Sequence, residues 1–363
     1  MSRIITFVLP SLVGGGAEFV TKMWARELAA RGYRIEVALL RAREGEPEID
    51  GVRVRALARS GSGRAAEMLA LRRYLVSRRP DIAIGMMTRA NFQLLSVVAT
   101  LGRKHRPAVV ISERNIPFAE ANHSGLHVFA RDSAYRRLYS RADAFIAISH
   151  PVGAVFQYAA RLDRKRIWVI PNPATAKSGV APRSDLEVGS SSVTLVVPAR
   201  VVAKKRPLLA IEIADHLRAE GIEPSIMYFG VGEMSDEVGA VERGYPIRVM
   251  GRVENWFDHI PQDGVVLLPS AVEGFGNVLP EAASRSVPSV VGSTAFGSAD
   301  AVVPGVTGYF ARADSVDEYV LAVRRAMSLP RSVPEGWLSE FSASNSVDLL
   351  QRLIDAVGDG QPR

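Results

Sequence analysis

Short apolar runs rich in β-branched residues alternate along this chain with longer stretches whose apolar residues recur at helical spacing. We interpret the short runs as strands at Ile4–Leu9, Arg34–Leu40, Val52–Leu57, Asp81–Met86, Ala108–Ile111, Ala144–Ile148, Ile167–Ile170, Val193–Val197, Pro224–Gly230, Ile247–Gly251, Gly264–Pro269 and Ser289–Gly292. The clearest predicted helices span 17–31, 64–79, 208–219, 281–286, 316–328 and 345–356. Strands that alternate with helices predict parallel sheets and therefore the α/β class.

The alternation stops once and then restarts, which predicts two domains. Pro171-Asn172-Pro173 interrupts regular structure, and residues 171–192 are rich in Ser, Gly, Ala and Pro, as is typical of a linker. We predict a Rossmann-like domain over 1–170, a second over 193–340, and a C-terminal helical segment over 341–363 that crosses back to the first domain. The economical arrangement is two doubly wound domains that face a cleft, with ligands at the carboxyl ends of the strands.

Composition narrows the class of protein further. Apolar residues make up 47% of the 363 residues and charged residues 23%, which is ordinary for a globular protein. No apolar run is long enough to predict a membrane-spanning helix. The chain has no cysteine, which excludes disulfides, thiolate metal sites and a cysteine nucleophile and favours a reducing, cytoplasmic setting.

The positive charge is concentrated in the first half. Residues 1–170 contain 28 Lys and Arg against 14 Asp and Glu, whereas the remainder contains 17 against 24. Such an imbalance indicates an anionic partner of the first domain. Nucleic acid is disfavoured, because the sequence has no recognisable nucleic-acid module and only 7% aromatic residues.

Three loops that follow predicted strands carry candidate site residues. The first, Gly14 to Glu18, opens a helix with three glycines, so the amides of Gly15 and Gly16 are candidates to bind a phosphate. Its spacing matches neither the dinucleotide fingerprint nor a P-loop, and the alternative is a tight turn that only feeds the helix.

The second loop contains Arg200 and Lys205, five residues apart, which could clamp the two phosphates of a nucleotide diphosphate. The alternative is a solvated basic turn. The third loop joins a buried strand to a helix through a Gly-Phe-Gly turn and carries two carboxylates, Glu273 and Glu281, that could contact two parts of one extended ligand. The amides of Gly276, Asn277 and Val278 open that helix.

Taken together, these segments resemble the family 4 retaining glycosyltransferases. The matching segments, in order, are Gly14–Glu18, Ile170-Pro171-Asn172, Arg200 with Lys205, Phe229–Glu233, Gly251-Arg252-Val253 and the Glu-x7-Glu of Glu273 and Glu281. A narrower likeness is to N-acetylhexosaminyltransferases that extend polyprenyl-diphosphate-linked oligosaccharides. That likeness rests on Thr88-Arg89-Ala90-Asn91, Ser112-Glu113-Arg114 and the segment from Glu273 to Leu279.

The resemblance implies a GT-B fold and a role for each matching residue. Arg200 and Lys205 would bind the donor diphosphate and, with Glu273, form the catalytic set. Glu273 would hold hydroxyls of the transferred sugar, helped by backbone at Gly276 and Asn277. Glu281 would hold the ribose, and the amide of Val278, with those of Gly276 and Asn277, would face a phosphate. The base would lie against backbone near Arg252 and Val253. The family needs no metal and no cofactor besides the nucleotide sugar, because positive side chains stabilise the leaving diphosphate.

The chain also departs from the family. Many members have a histidine after the strand that corresponds to Ala108–Ile111, whereas Glu113, Arg114 and Asn115 stand there, so no catalytic histidine is assigned. The stretch Ala295–Asp300 replaces a glycine-rich loop that commonly carries a glutamate.

Basic residues of the first half are candidates to bind the acceptor or an anionic membrane. Arg64, Arg72 and Arg73 fall on one predicted helix, 64–79, and Arg114 follows a predicted strand. Each basic residue near an anionic surface contributes about 1 kcal/mol, so several could hold the protein peripherally on the inner face of the membrane, beside a polyprenyl-diphosphate acceptor. The alternative is that these arginines are simply solvated.

The sequence therefore predicts a metal-independent retaining transferase. It would move a hexose or N-acetylhexosamine from a nucleotide-diphosphate sugar, in particular a UDP-sugar, to a glycan or polyprenyl-diphosphate-linked acceptor. Two alternatives remain open at this stage, a sugar-nucleotide 2-epimerase of the same fold and a non-catalytic protein that binds an anionic ligand.

Overall fold

The computed structural model of the chain describes residues 3–116, 125–180, 191–330 and 334–359, and of residues 125–130 it describes the backbone alone. The strands are β1 (Ile4–Leu9), β2 (Arg34–Leu39), β3 (Arg53–Ala56), β4 (Ile82–Met86), β5 (Ala108–Glu113), β6 (Ala144–Ala147), β7 (Ile167–Val169), β8 (Ser192–Val197), β9 (Glu223–Tyr228), β10 (Ile247–Val249), β11 (Gly264–Leu268), β12 (Ser289–Gly292) and β13 (Gly308–Ala311). The helices are α1 (Gly16–Ala30), α2 (Arg64–Arg78), α3 (Thr88–Val98), α4 (Gly125–Tyr139), α5 (His150–Ala159), α6 (Thr175–Ser178), α7 (Pro207–Ala219), α8 (Ser235–Gly239), α9 (Val278–Ala283), α10 (Val316–Met327), α11 (Glu335–Ser339) and α12 (Ala343–Asp359).

The first compact unit is built on a parallel sheet and comprises residues 1–172 and 343–363. Among the described residues its seven strands run in the order β3-β2-β1-β4-β5-β6-β7. Ile5 pairs with Ile35 on one side and with Ile82 on the other, so the strand order reverses at β1. Strands β1, β4 and β5 are apolar and buried along nearly their whole length, as expected when helices cover both faces of a parallel sheet.

The second compact unit comprises residues 173–342 and repeats this architecture. Its described strands form a six-stranded parallel sheet in the order β10-β9-β8-β11-β12-β13. The order reverses between β8 and β11, which pair directly through Leu195 and Val265. In open α/β sheets, ligands bind at such a reversal, outside the carboxyl ends of the strands. The loops after β8 and β11 are therefore the natural position for a site in this unit.

The last helix, α12, packs into the first unit. Its apolar face contributes Val347, Leu350, Leu353 and Ile354 to that core. Ser346 is fully buried, and its hydroxyl donates to the carbonyl of Pro171 at 3.0 Å while it accepts from Trp24 Nε1 at 2.9 Å. The chain thus leaves the first unit at residue 172 and rejoins it at residue 343.

The predicted linker over 171–192 overlaps the second unit, which begins at residue 173. The helix α6 lies in that segment and packs in the second unit, where Thr175 donates to the carbonyl of Phe341 at 3.0 Å and Ser284 donates to Ser178 at 2.7 Å. Residues 181–190 of the predicted linker lie outside the described residues.

Two doubly wound α/β units confirm the predicted fold class, and most predicted elements are present with small shifts at their ends. The helix predicted over 281–286 instead begins at Val278 and ends at Ala283. Pro280 is tolerated there because the first turn of a helix has no partner for its amides. The backbone then turns at Ser286, which has a φ of +57°. Among the described residues, no helix is both long and apolar enough to span a membrane.

Candidate active site

In the loop after β8, the two predicted cations differ in their exposure to solvent. Arg200 is exposed at the start of the loop, whereas Lys205 lies at the end of the short helical turn Ala203–Lys205, where its amide donates to the carbonyl of Val202 at 2.8 Å. Arg206 closes the turn in the left-handed region, with a φ of +52°, and its guanidinium donates to the carbonyl of Ala313 at 2.5 Å. This anchor fixes the end of the loop that carries Lys205.

The structure brings Lys205 and Glu273 together. Lys205 Nζ donates to Glu273 Oε1, and the two side chains are only 16% and 14% exposed. Ser270 Oγ donates to the same carboxylate oxygen at 2.8 Å, and a backbone bond from Ala271 to Lys204 ties the two loops together at 3.0 Å. Glu273 Oε2 receives no hydrogen bond from the described part of the chain. The arrangement is a held ammonium–carboxylate pair with one carboxylate oxygen left for a ligand.

Two glycines shape the backbone beside Glu273. Gly276 has a φ of +83°, and a β-carbon there would lie 3.0–3.2 Å from Leu279, Ser298 and Leu268. Gly297 packs so closely that a β-carbon would lie 2.1 Å from the carbonyl oxygen of Glu273. The segment 295–300, whose contacts the sequence left open, therefore supports the backbone of Glu273.

The predicted Asn277 and Val278 lie at the start of α9. Asn277 is the residue before the helix, and Val278 is its first residue. The helix has six residues, so its dipole is small. Its importance for the site is that it carries Glu281.

Glu281 points into a buried, aromatic environment. Trp256 Nε1 donates to its Oε2 at 2.8 Å, and the Trp256 ring lies 6.2 Å from the ring of Phe229. Burial raises the pKa of the Glu281 carboxyl, and the hydrogen bond from Trp256 and the charge of Lys177 partly oppose that shift. Arg252 is exposed and Val253 half-buried in the loop between β10 and the turn Trp256–His259.

In the first unit, Gly15 and Gly16 lie at the N-terminus of α1. Both are exposed, and Gly15 precedes the helix without a side chain to bond the first amides. A helix of 15 residues with free N-terminal amides favours an anion. Their role with the donor stays a prediction.

The buried carboxyl of Glu113, from the motif Ser112-Glu113-Arg114, forms hydrogen bonds with residues of the other motif of the first unit, Thr88-Arg89-Ala90-Asn91. It is 1% exposed at the carboxyl end of β5, and it accepts hydrogen bonds from Tyr139, from Thr88 at 2.9 Å and from Asn91 at 3.0 Å. Burial raises its pKa to about 7, although all three hydrogen bonds and the nearby Arg114 oppose the shift. Met87, which precedes Thr88, has a φ of +72°, so this turn also holds backbone strain.

Arg89, from the same motif, has a structural partner. Its guanidinium donates to both oxygens of Glu67 at 2.6–2.7 Å, and Gln93 donates to Glu67 at 2.8 Å. Glu67 is fully buried on α2, so this ion pair, made by Arg89 Nη2 with both carboxylate oxygens, joins α2 to α3.

Arg114 lies apart from the other basic candidates. Arg64, Arg72 and Arg73 are exposed on α2, whereas the Arg114 guanidinium stacks 4.8 Å from the centre of the Trp24 ring and donates to Asn172. Its Nε and Nη2 are buried without a hydrogen-bond partner in the described structure, and burial lowers its pKa to about 9. The residue as a whole is half-buried, and its predicted role at the acceptor or the membrane stays a prediction.

Sequence reasoning missed two residues that hold the predicted carboxylates. It gave Ser270 no role, and it did not single out Trp256. Their contacts depend on how loops meet, and the only available signal was position, since Ser270 follows a buried strand and lies three residues before Glu273. In the described ranges, no group of three or more His, Asp or Glu residues is arranged to hold a metal.

Two family models match the chain, one for each unit. Residues 15–173 match the glycosyl transferase 4-like domain, and residues 192–328 match glycosyl transferases group 1. The chain belongs to the GT4-like glycosyltransferases. Gly15 and Gly16 fall in the first matched range, and Lys205, Glu273 and Glu281 fall in the second. A search of curated protein sequences finds no match.

Solved structures of GT-B glycosyltransferases confirm the predicted fold. The lipopolysaccharide outer core galactosyltransferase WaaB superposes with a TM-score of 0.75 at 19% identity, over 98% of this chain and 99% of its own. HepE from Anabaena, solved in complex with UDP-glucose, gives 0.72 at 15% identity, over 98% and 99%. WaaG, a glycosyltransferase involved in lipopolysaccharide biosynthesis, gives 0.66 at 16% identity, over 97% and 98%.

Proposed function

We propose that this glycosyltransferase moves a hexose or N-acetylhexosamine from a UDP-sugar to a glycan or polyprenyl-diphosphate-linked acceptor, with retention of the anomeric configuration. The observation that carries the proposal is the pairing of Lys205 with Glu273, held by Ser270 where β8 and β11 end. A cation beside a carboxylate suits a ligand with phosphates next to sugar hydroxyls. The complex of HepE with UDP-glucose supports the choice of UDP.

Each charged group has a distinct task in this proposal. Lys205 and Arg200 bind the donor diphosphate and stabilise the charge that grows on it as the glycosidic bond breaks. Glu273 keeps Oε1 on Lys205 and Ser270 and offers Oε2 to hydroxyls of the transferred sugar. Glu281, oriented by Trp256, accepts hydrogen bonds from the ribose.

Backbone groups complete the proposed donor site. Amides at Gly276, Asn277 and Val278 contact the sugar and phosphates, and backbone at Arg252 and Val253 contacts the base. Gly15 and Gly16 bind the donor phosphates with the free amides of α1. The exposed cation Arg200 and the held cation Lys205 take the place of a metal ion, so we propose that transfer needs no metal and no further cofactor.

The first unit binds the acceptor in this proposal. Arg64, Arg72 and Arg73 are exposed on α2 and attract an anionic membrane surface, which would hold the protein on the cytoplasmic face beside a lipid-linked acceptor. Arg114 is half-buried, with Glu18 among the charges that act on it, and we assign it to the acceptor site.

Binding and turnover test the proposal in separate steps. A thermal-shift panel of UDP- and GDP-sugars should show stabilisation by a UDP-sugar, since a ligand stabilises the folded state by mass action. Transfer from that donor to a polyprenyl-diphosphate-linked glycan should persist in excess EDTA, and NMR of the product should show the donor's anomeric configuration. Inversion or a metal requirement would contradict the corresponding part of the mechanism.

The two alternatives predict different products. A sugar-nucleotide 2-epimerase would interconvert two UDP-sugars without acceptor, and a non-catalytic binder would be stabilised by the nucleotide without any turnover. Either result would exclude the transferase.

A further inference from the structure

A basic recess lies at the edge of the first unit that is opposite Glu113. Strands β5, β6 and β7 pair in parallel and therefore begin at one edge of the sheet. Arg106 lies two residues before β5 and Arg166 directly before β7, while Arg141 follows α4 and precedes β6. These three arginines come from three basic stretches that are far apart in the sequence, and they line one recess of about 430 Å³.

The recess has a chemically mixed lining. Leu95, Val98 and Ala99, at the end of α3, form its apolar part, and Ser140 and Asp143 are its remaining polar residues. Leu95 and Val98 are buried and belong to the packed interior of the unit, whereas Ala99 is exposed. A volume in this range accommodates a phosphate together with a small organic group.

The charges of the recess are not balanced by the described part of the chain. None of Arg106, Arg141 and Arg166 forms an ion pair with a described residue. Arg166 Nη1 donates to the carbonyls of Ser140 and Ala142, each at 3.2 Å, which fixes its guanidinium at the rim. Asp143 is the one carboxylate in the lining, and its Oδ2 already accepts from the amide of Val109 at 2.7 Å.

From this arrangement we propose that the recess binds a phosphate ester. Three guanidiniums around one opening can offer several N–H groups to one phosphate in the bidentate manner that arginine favours. The apolar floor would contact the organic part of the ester. Two sources share this chemistry, the glycerophosphate of an anionic phospholipid headgroup and a soluble phosphomonoester.

A simpler explanation makes a different prediction. Helices that cross a parallel sheet end at the edge where the strands begin, and basic residues there stabilise the partial negative charge of the helix ends. In that case the arginines would raise stability and bind no ligand. An equilibrium binding measurement separates the two explanations.

The test compares two double variants with the same loss of charge. Arg106→Gln with Arg141→Gln alters the recess but leaves Arg166, whose backbone contacts are structural. Arg103→Gln with Arg164→Gln is the matched control, since both residues are exposed in the same basic stretches and lie outside the lining. The probes are sn-glycerol 3-phosphate in calorimetry and vesicles of phosphatidylglycerol with phosphatidylcholine in flotation.

We expect the wild type and the control to bind at least one probe, and the recess variant to bind it at least tenfold more weakly than the control. If the recess variant binds glycerol 3-phosphate more weakly than the control does, with or without weaker binding to vesicles, a soluble ester is a ligand. If only the binding to vesicles is weaker, the ligand is the lipid headgroup. Equal losses in the two variants, or no saturable binding by the wild type, would overturn the proposal.

Two further measurements keep the result independent of folding and of the proposed transferase function. Arg141→Lys retains the charge but loses the fork, so it should weaken binding without a change in melting temperature. Hydrolysis or transfer of the nucleotide-sugar donor should be unchanged in the recess variant, because the recess lies outside the proposed donor and acceptor residues. A folded recess variant that binds as the control does would contradict the proposal.

Discussion

The hydroxyl of Ser270 donates to Glu273 Oε1 at 2.8 Å, on the same oxygen that takes the ammonium of Lys205. Ser270 is fully buried, so this hydrogen bond to a charged group contributes roughly 1.5–3 kcal/mol to holding the carboxylate in place. Ser270→Ala should therefore lower kcat about tenfold with little change in the donor KM, and Ser270→Thr should restore part of it.

Ser192→Ala is the matched control for that experiment. Ser192 donates to Asp263 at 3.0 Å, a similar serine–carboxylate bond at the opposite end of the same pair of strands. Equal kinetic effects in the two variants would mean that Ser270 acts only through stability.

Lys205→Ala should lower kcat by about 10²–10³, the range found when one preorganised electrostatic donor is removed. Arg200→Ala should have an effect of the same sign. Lys204→Ala serves as the control, because this exposed neighbour contacts the third loop through its backbone carbonyl and keeps that contact as alanine. Steady-state kinetics should be measured for all three variants. A kcat of Lys205→Ala equal to that of the wild type would contradict the proposed role of Lys205 in stabilising the leaving group.

Glu281→Ala should raise the donor KM about tenfold, because the ribose would lose its acceptor. Trp256→Phe should raise KM by a smaller factor, since the ring remains while the hydrogen bond of 2.8 Å to Glu281 is lost. Glu254→Ala removes an exposed carboxylate nearby and should leave KM unchanged. Donor titrations would reject the ribose role if Glu281→Ala and Glu254→Ala behaved alike.

Ionisation of Glu113 should lower the free energy of unfolding as the pH rises. Its pKa is about 7 in the folded protein against an ordinary value of 4.5, so between these values the folded state binds the proton more tightly than the unfolded state. The free energy of unfolding therefore decreases from about pH 4.5 to 7, by up to about 3 kcal/mol for a shift of this size.

The variant Glu113→Gln lacks this ionisation. The free energy of unfolding of the variant, relative to that of the wild type, should therefore increase as the pH rises from about 4.5 to 7. Urea unfolding at a series of pH values measures the difference. Glu48→Gln, an exposed carboxylate in the same unit, should give a curve parallel to the wild type. Parallel curves for Glu113→Gln as well would show that the carboxyl titrates normally.

Gly297→Ala should destabilise the protein by roughly 1–3 kcal/mol, the usual range for overpacking. Its new β-carbon would lie 2.1 Å from the carbonyl oxygen of Glu273, a backbone atom that can move only with its loop. Gly336→Ala is the control, because open space surrounds that position on α11. A lower melting temperature and a lower kcat are expected for Gly297→Ala alone, and equal melting temperatures would contradict the close packing.

The sequence predicted elements best where an apolar run ends at turn residues. Ile4–Leu9 and Ser289–Gly292 were predicted to the residue for that reason. The helix predicted over 281–286 begins three residues earlier, at Val278, because Pro280 is accommodated in its first turn. The strand Gly308–Ala311 was missed, because its edge position leaves it short and only partly buried.

The sequence alone determined the α/β class, the repeat of two doubly wound units and the family. Hydrophobic periodicity and short motifs involve residues that are close together in the sequence, so they can be read without a structure. Only the tertiary structure decided which groups meet. Lys205 and Glu273 are 68 residues apart, and their contact exists because β8 and β11 are neighbours in the sheet. The pKa of Glu113, the burial of Arg114 and the convergence of three arginines on one recess likewise depend on desolvation and charge proximity, which arise only when distant segments pack together.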